Sequence, residues 1–299
     1  MNYIAIDPAT ISVPELQGHL QAAIAPRPIA FASTVDQAGN VNLSPFSFFN
    51  VFSANPPILV FSPARRVRDN TTKHTLENIL EVPEVVINIV NYAIVEQASL
   101  SSTEYDKGVN EFIKAGLTEI PSTSIQPPRV AESPVAFECV VDDVIALGNE
   151  GGAGSLVIAR VVMIHAQEQY VIDGKLDTTK LDLVARMGGN WYCRASGSAV
   201  FEIPKPILTK GIGIDALPES IRHSEVLTGN NLARLGNTEL FPSDEEIQEA
   251  NADASVLDIL KNEAEYPQKR LHSLAKKALE NNQIRLAFSI LTIADRFKT

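Results

Sequence analysis

Short apolar runs separated by turn-forming residues fill the first part of the chain, and helical spacing replaces them toward the C-terminus. Residues 29–35 (IAFASTV) are apolar and partly β-branched, and they stop at Asp36-Gln37-Ala38-Gly39-Asn40, a hairpin-turn composition. Residues 41–52 resume as strand until Asn55-Pro56-Pro57, where two prolines cannot donate to a ladder. Residues 58–62 and 85–90 read as short buried strands, and a helix is expected over 75–80 with Thr75 as its cap. Residues 93–101 and 109–115 read as short helices, the second closed by Gly116. Residues 121–134 hold four prolines and form an extended excursion. Residues 136–147 and 156–166 read as a long strand pair joined through 148–154. Glycines in that joint superficially suit a dinucleotide loop, but such a loop needs a helix after it and Leu156-Val157-Ile158 is strand-like. A wide hairpin is the better reading.

After Pro204 the strand signals fade. Ser243 and Glu246 form a capping box behind Pro242, and residues 256–260, 271–279 and 284–294 carry apolar side chains at helical spacing. The expected organisation is a domain over 1–204 and a helical extension over 205–299. Antiparallel strands joined by hairpins, without regular βα alternation, point to a barrel or sandwich for the larger part.

Composition narrows the function classes. The chain has 299 residues, 45% of them hydrophobic, which is enough for a large core. Its net charge of -11 argues against non-specific nucleic-acid binding. No run approaches the roughly 18 apolar residues of a membrane helix, and the opening MNYIAIDPAT lacks a secretory pattern. Two cysteines, Cys139 and Cys193, suit a reduced cytoplasmic protein, and no CxxC or HExxH metal pattern occurs.

The densest cations are Arg65, Arg66, Arg68 and Lys73. With Ser62 and Thr75, Arg65 and Lys73 supply charge and hydroxyls just before a helix start, a place that suits phosphate. A solvated basic loop with an ordinary cap explains the same spacing. Ser44-Pro45-Phe46-Ser47-Phe48-Phe49-Asn50 sets small hydroxyls beside aromatic rings. A flavin ring needs such company, although phenylalanines in a strand are usually core. His165 and His74 are lone histidines, more often structural than catalytic. Arg186-Met187-Gly188-Gly189-Asn190-Trp191-Tyr192 suggests backbone close to a ligand edge or a subunit contact. Asp106, Glu111, Asp142 and Asp143 are expected on solvated faces. No catalytic residue and no metal ligand is assigned.

PRPIAFASTVD, GNVNLSPFSFFN and SANPPILVFS together strongly resemble the flavin reductase-like, FMN-binding split-barrel family. Lys73-His74-Thr75-Leu76-Glu77-Asn78-Ile79 is similar to that family's K-D-T-x-x-N-I segment, and Arg186 through Tyr192 to its R-x-G-G-x-x-Y motif. The resemblance spans residues 20–200. It implies a mainly β fold, an antiparallel Greek-key split β-barrel of six strands with small helices, here followed by the helical extension. It implies a homodimer with FMN near the subunit interface. It puts the flavin ring along Ser44, Pro45, Phe46, Ser47, Phe48 and Asn50, the phosphate near Ser62, Arg65, Lys73, His74 and Thr75, and Arg186 close to the ring or the other subunit. His74 stands where the family commonly has Asp. The implied activity is that of an NAD(P)H-dependent flavin reductase, or the reductase component of a flavin-dependent oxygenase, with NADH or NADPH as donor. A non-catalytic FMN-binding protein with a helical interaction module is the alternative. A third reading, a related barrel holding heme or a deazaflavin, rests on His165.

Overall fold

Most of the expected strands form, with one consequential break. The computed structural model describes residues 1–261 and 267–297, and the chain divides into two units, Met1–Phe201 and Glu202–Thr299. In the first unit, α1 (Val13–Ala23) leads into strands β1 (Ala30–Val35), β2 (Val41–Phe46), β3 (Phe49–Ala54) and β4 (Pro57–Phe61). Then come α2 (His74–Glu81), β5 (Glu84–Ile89), α3 (Val95–Leu100) and α4 (Glu111–Ala115). The excursion carries a short ribbon, β6 (Glu119–Ile120) with β7 (Arg129–Val130). The long hairpin follows as β8 (Val135–Ala146) and β9 (Ser155–Ala166). Two more ribbons close the unit, β10 (Val171–Ile172) with β11 (Lys175–Leu176) and β12 (Val184–Arg186) with β13 (Tyr192–Arg194).

Seven strands form one antiparallel sheet in the order β2-β1-β5-β8-β9-β4-β3. The single strand expected over 41–52 is therefore two strands, and they lie at opposite edges of the sheet. Pro45 sits in β2 opposite Phe31, an edge position where its missing N–H costs no ladder bond. Only Ser47 and Phe48 separate the edges in sequence. A flat sheet of this width would hold its edges about 29 Å apart, whereas three residue steps span at most about 11 Å. The sheet therefore curls until its edges approach. The ring of Phe46 in β2 lies 5.5 Å from that of Phe61 in β4 across the seam. No ladder joins β2 to β3 among the described residues, so the curled sheet is not closed by hydrogen bonds.

Alternation along the strands fills two cores. Ala30, Ala32, Phe46, Leu59, Phe61, Leu76, Ile79, Val85, Ile87 and Cys139 pack together inside the curl, closed by α2. Phe31, Leu43 and Val90 face the other way, against Ile94, Ala98, Phe112 and Leu117 from α3, α4 and their loops. β1 is thus buried on both faces. Cys139 is free and fully buried, and burial pushes its thiol up to about 12; Cys193 is also free.

The Pro-rich excursion is anchored by carboxylates of the sheet: Glu84 accepts from Gln126 N–H at 2.8 Å, and Glu138 holds the residues just before Gln126. Glu138 accepts hydrogen bonds from the N–H groups of Thr123 and Ser124, both at 2.7 Å, and its Oε1 lies 2.6 Å from His165 Nε2. Burial acts to raise the Glu138 carboxyl, but these donors outweigh it and hold it below the usual carboxylate range. His165, the residue on which a heme reading rests, is thereby occupied in a structural contact.

The second unit is helical. It holds α5 (Glu219–Arg222), α6 (Gly229–Gly236), α7 (Asp244–Ala252), α8 (Ala254–Lys261), α9 (Pro267–Glu280) and α10 (Ile284–Ala294). The expected capping box opens α7: Ser243 N–H donates to Glu246 at 2.7 Å, and Glu246 N–H donates back to Ser243 Oγ at 3.3 Å. Leu235, Val256, Leu271, Ala275, Leu279, Phe288 and Leu291 form a core of its own. Counted over the described chain, helical residues outnumber strand residues, which corrects the mainly β description. The fold is a mixed one, an antiparallel sheet with small helices followed by C-terminal helices. Helices α1, α5 and α6 were not expected.

Candidate functional site

The edge strand β2 and the two residues after it border a run of adjoining depressions. The central one, about 240 Å³, is lined by Ser44, Pro45, Phe46, Ser47 and Phe48 on one side and by Ser62, Ala64 and Lys73 on another. Gln17 and Gln21 of α1 overhang it. A second depression, about 210 Å³, shares Pro45 and Ser47 and adds Ile29, Val95, Arg186 and Tyr192. A third shares Ser44 and Lys73 and adds Asn42, Arg66, His74, Thr75 and Glu104. Ser102, in the turn after α3, borders all three. Together they make one groove along β2, with cations at both ends. A larger cavity of about 550 Å³ lies in the helical unit and is lined by no residue singled out in the sequence.

The sequence folds this way for local reasons. Loop 62–73 leaves β4 and returns to α2, so it must pass the end of β2. Its shape is fixed from beneath by the β8–β9 turn. Arg65 N–H donates to Ala153 O at 2.8 Å, and Gly152 N–H donates to Arg65 O at 3.0 Å. A Cβ on Gly151 would lie 3.0 Å from Val67 O and 3.1 Å from Arg66 O, and one on Gly154 would strike Ser62 Oγ. The glycine run is the hairpin expected from sequence, and its lack of side chains lets loop 62–67 lie directly on it.

Lys73 is the N-cap of α2, two positions earlier than expected, and makes no side-chain cap bond. The first N–H groups of α2 have no intrahelical acceptor. Thr75 does not cap. It lies inside the helix, 1% exposed, and its hydroxyl donates to Asn42 Oδ1 at 2.6 Å. Asn42 Nδ2 in turn donates to Glu111 at 2.9 Å, and Leu43 N–H to the same carboxylate at 2.8 Å. Glu111 is therefore buried, contrary to its expected place on a solvated face, and burial raises its carboxyl above the usual value. Asp106, Asp142 and Asp143 are exposed as expected.

The cations divide differently from their order in sequence. Arg65 lines none of the three depressions and braces its own loop, donating from Nε to Asn70 Oδ1 and from Nη2 to Asn70 O, each at 2.6 Å. Arg66 takes its place at the groove. Its Nε donates to Glu104 Oε1 at 2.8 Å, and Lys73 Nζ is 3.5 Å from the same oxygen. Arg68 Nη2 reaches Glu104 Oε2 at 3.1 Å. The hydrogen bond from Arg66 keeps the Glu104 carboxyl below its usual range. His74 borders the third depression, whereas Asn50 is exposed on β3, accepts from Val51 N–H at 2.8 Å, and lines none of the three.

At the other end Arg186 lies over the Tyr192 ring at 4.6 Å. Its backbone bridges Arg27, whose guanidinium is buried and bonded mainly to carbonyl oxygens: Gln21 O at 2.6 Å, Ile24 O at 2.5 Å and Met187 O at 2.9 Å. Arg27 Nε also reaches Ser47 Oγ at 3.4 Å. Burial, and then the charge of Arg186, make Arg27 easier to deprotonate than a free guanidinium.

The sequence reading missed Arg27, Ser102 and Glu104, and it missed α1. The helix did carry a signal: Ser12-Val13-Pro14-Glu15 is a capping box with Pro in the first turn, and the structure makes both of its bonds. Ser102 and Glu104 sit in an ordinary polar turn, which marks nothing by itself.

Comparison with known proteins identifies the family. The family model "Flavin reductase like domain" matches residues 23–177. The chain belongs to the flavin reductase-like, FMN-binding split-barrel family. An uncharacterized protein of Halalkalibacterium halodurans is 37% identical over 207 residues, 69% of this chain and 98% of that protein. Among solved structures, component B of nitrilotriacetate monooxygenase from Bacillus cereus is similar with a TM-score of 0.64 and 30% identity, over 68% of this chain and all of that one. The 2-nitrobenzoate 2-nitroreductase of Pseudomonas fluorescens is similar with a TM-score of 0.59 and 26% identity, over 70% of this chain and all of that one. The family match ends before β12, so Arg186 and the helical unit lie beyond it.

Proposed function

We propose that this chain is an FMN-dependent oxidoreductase that takes hydride from NADH or NADPH, as a flavin reductase or as the reductase component of a flavin-dependent oxygenase. The observation that carries this reading is the groove along β2, which brings the Ser44–Phe48 wall to Ser62 and Lys73. Family membership and the monooxygenase component among the similar structures support it.

The donor set suits a phosphorylated flavin. Phe46, Phe48 and Pro45 offer apolar surface for the dimethylbenzene side of the ring, and Ser44 and Ser47 offer hydroxyls for its polar side. Ser62, Lys73 and the α2 N-terminus would hold the phosphate, with Arg66 close by. His74 supplies no carboxylate to orient Lys73. Bound FMN would supply the hydride chemistry itself, accepting from a reduced nicotinamide. The chain's part is to position the ring in the groove, to exclude water with α1, and to set Arg27 and Arg186 near the ring end, where positive charge favours an electron-rich flavin.

We also read the curled sheet as the family's split barrel, and a homodimer as its working form. Val51 and Phe52 on β3 and Met163 and Ile164 on β9 are exposed apolar residues, which suits a surface covered by a second copy. Sedimentation should give twice the chain mass.

Anaerobic mixing of the FMN-loaded protein with NADH and with NADPH tests the activity. Loss of the oxidised flavin's visible band with either nucleotide is the expected result. Tight FMN binding without bleaching by either would favour the alternative, a non-catalytic FMN-binding protein whose helical unit serves as an interaction module.

A further inference from the structure

We propose that the Glu104 carboxylate is a built-in anion at the phosphate end of the groove, competing there with the phosphate of incoming FMN and so making FMN exchangeable. The inference rests on the reading that FMN occupies this groove.

Three cations from one loop converge on this single carboxylate. Arg66 Nε donates to Oε1 at 2.8 Å, Arg68 Nη2 to Oε2 at 3.1 Å, and Lys73 Nζ lies 3.5 Å from Oε1. The other acid of the loop, Asp69, is turned elsewhere. It accepts from Thr71 N–H at 3.1 Å and from Thr71 Oγ at 2.6 Å, bonds that bring it to about 2, and it touches only Arg68 among the cations. Glu104 is thus the one carboxylate paired with Arg66 and Lys73 among the described residues. It arrives from a different segment, the turn after α3, on which Ser102 also borders the groove.

A carboxylate and a phosphate want the same donors. While Glu104 holds Arg66 and Lys73, an entering phosphate meets donors already engaged and a like charge beside them. Binding then requires the half-exposed Glu104 side chain to swing out or to share its cations. Either course weakens the phosphate's grip and leaves the ring's contacts untouched. Such a site suits a flavin that arrives, is reduced and leaves, and not a permanently held group.

Titration of wild type and Glu104→Gln with FMN and with riboflavin, followed by flavin fluorescence at low ionic strength, tests this. Glu104→Gln should bind FMN roughly tenfold more tightly, with riboflavin affinity unchanged, because riboflavin has no phosphate. Glu104→Ala, which removes the same charge and leaves no amide to replace the hydrogen bonds, should move FMN in the same direction. Weaker FMN binding in both variants would make Glu104 an organiser of the cations and overturn the proposal. So would unchanged FMN affinity. Wild type that binds neither flavin would overturn the underlying FMN reading as well, which separates the two failures.

Discussion

Lys73→Ala and Arg65→Ala should separate the ligand's grip from the loop's support, although the two cations are only eight positions apart. Lys73 borders both the depression formed by Ser44–Phe48 and the one at the start of α2, so its ammonium is placed to reach a phosphate at their junction. A charge-assisted hydrogen bond contributes about 1.5–3 kcal/mol. The Lys73 side chain is 30% exposed and already shares Glu104, so solvent and that partner reduce its value toward the lower end. The expected loss on Lys73→Ala is about tenfold in FMN affinity, with riboflavin unaffected. Arg65→Ala removes two bonds at 2.6 Å to Asn70, from a residue that lines none of the three depressions. It should cost about 1–2 kcal/mol of stability and change FMN affinity much less than Lys73→Ala does. Fluorescence titration with both flavins, beside urea unfolding, measures all four quantities. Equal loss of FMN and riboflavin on Lys73→Ala, or a larger FMN loss on Arg65→Ala, would refute this placement of the phosphate.

Other consequences follow from contacts further out. Gly151→Ala sets a Cβ against the carbonyls of Arg66 and Val67, backbone that cannot rotate away. It should therefore shift the loop, cost about 1–3 kcal/mol, and weaken FMN more than riboflavin in the same titration. Glu138→Gln should destabilise the fold by about 3 kcal/mol at neutral pH, because the Thr123 and Ser124 N–H donors and His165 converge on that carboxylate. Its carboxyl is held low in the fold, so this contribution is present above the unfolded carboxylate value and is lost as pH falls through the folded one. Urea unfolding should show the gap between wild type and variant narrowing in acid, and a constant gap would contradict it. Titration of the native protein with a thiol reagent should modify Cys193 alone, since Cys139 is fully buried with its thiol near 12, and Cys139 should react only after unfolding.

The sheet was legible in the chain because its strands are buried and end at turn chemistry. Residues 29–35, 85–90 and 136–147 announce themselves by β-branched and apolar runs, and the structure places β1, β5 and β8 there within a residue. The break at Ser47-Phe48 was not legible, because both halves carry the same composition and only the pairing partners differ. Thr75 looked like a cap by type and position, yet the buried acceptor Asn42 lies far away in sequence and claims its hydroxyl. The same long-range pairing hid Glu111, an acid in a short surface-like helix whose partners are on β2. Of the cation run, only the structure reveals that Arg65 turns to Asn70 and that Arg66 reaches the groove. Two adjacent arginines find different partners, Asn70 for one and Glu104 for the other, and composition is blind to that. The helical unit was readable from its spacing and from the Ser243 capping box, whereas α5 and α6 are too short and polar to stand out.

A crystal structure of the protein soaked with FMN tests most directly whether the groove along β2 is the seat of FMN. The flavin ring is expected against Ser44, Pro45, Ser47 and Phe48, with its phosphate in reach of Lys73 and Ser62. Density for the flavin elsewhere on the chain, or a phosphate directed away from Lys73, would contradict that placement.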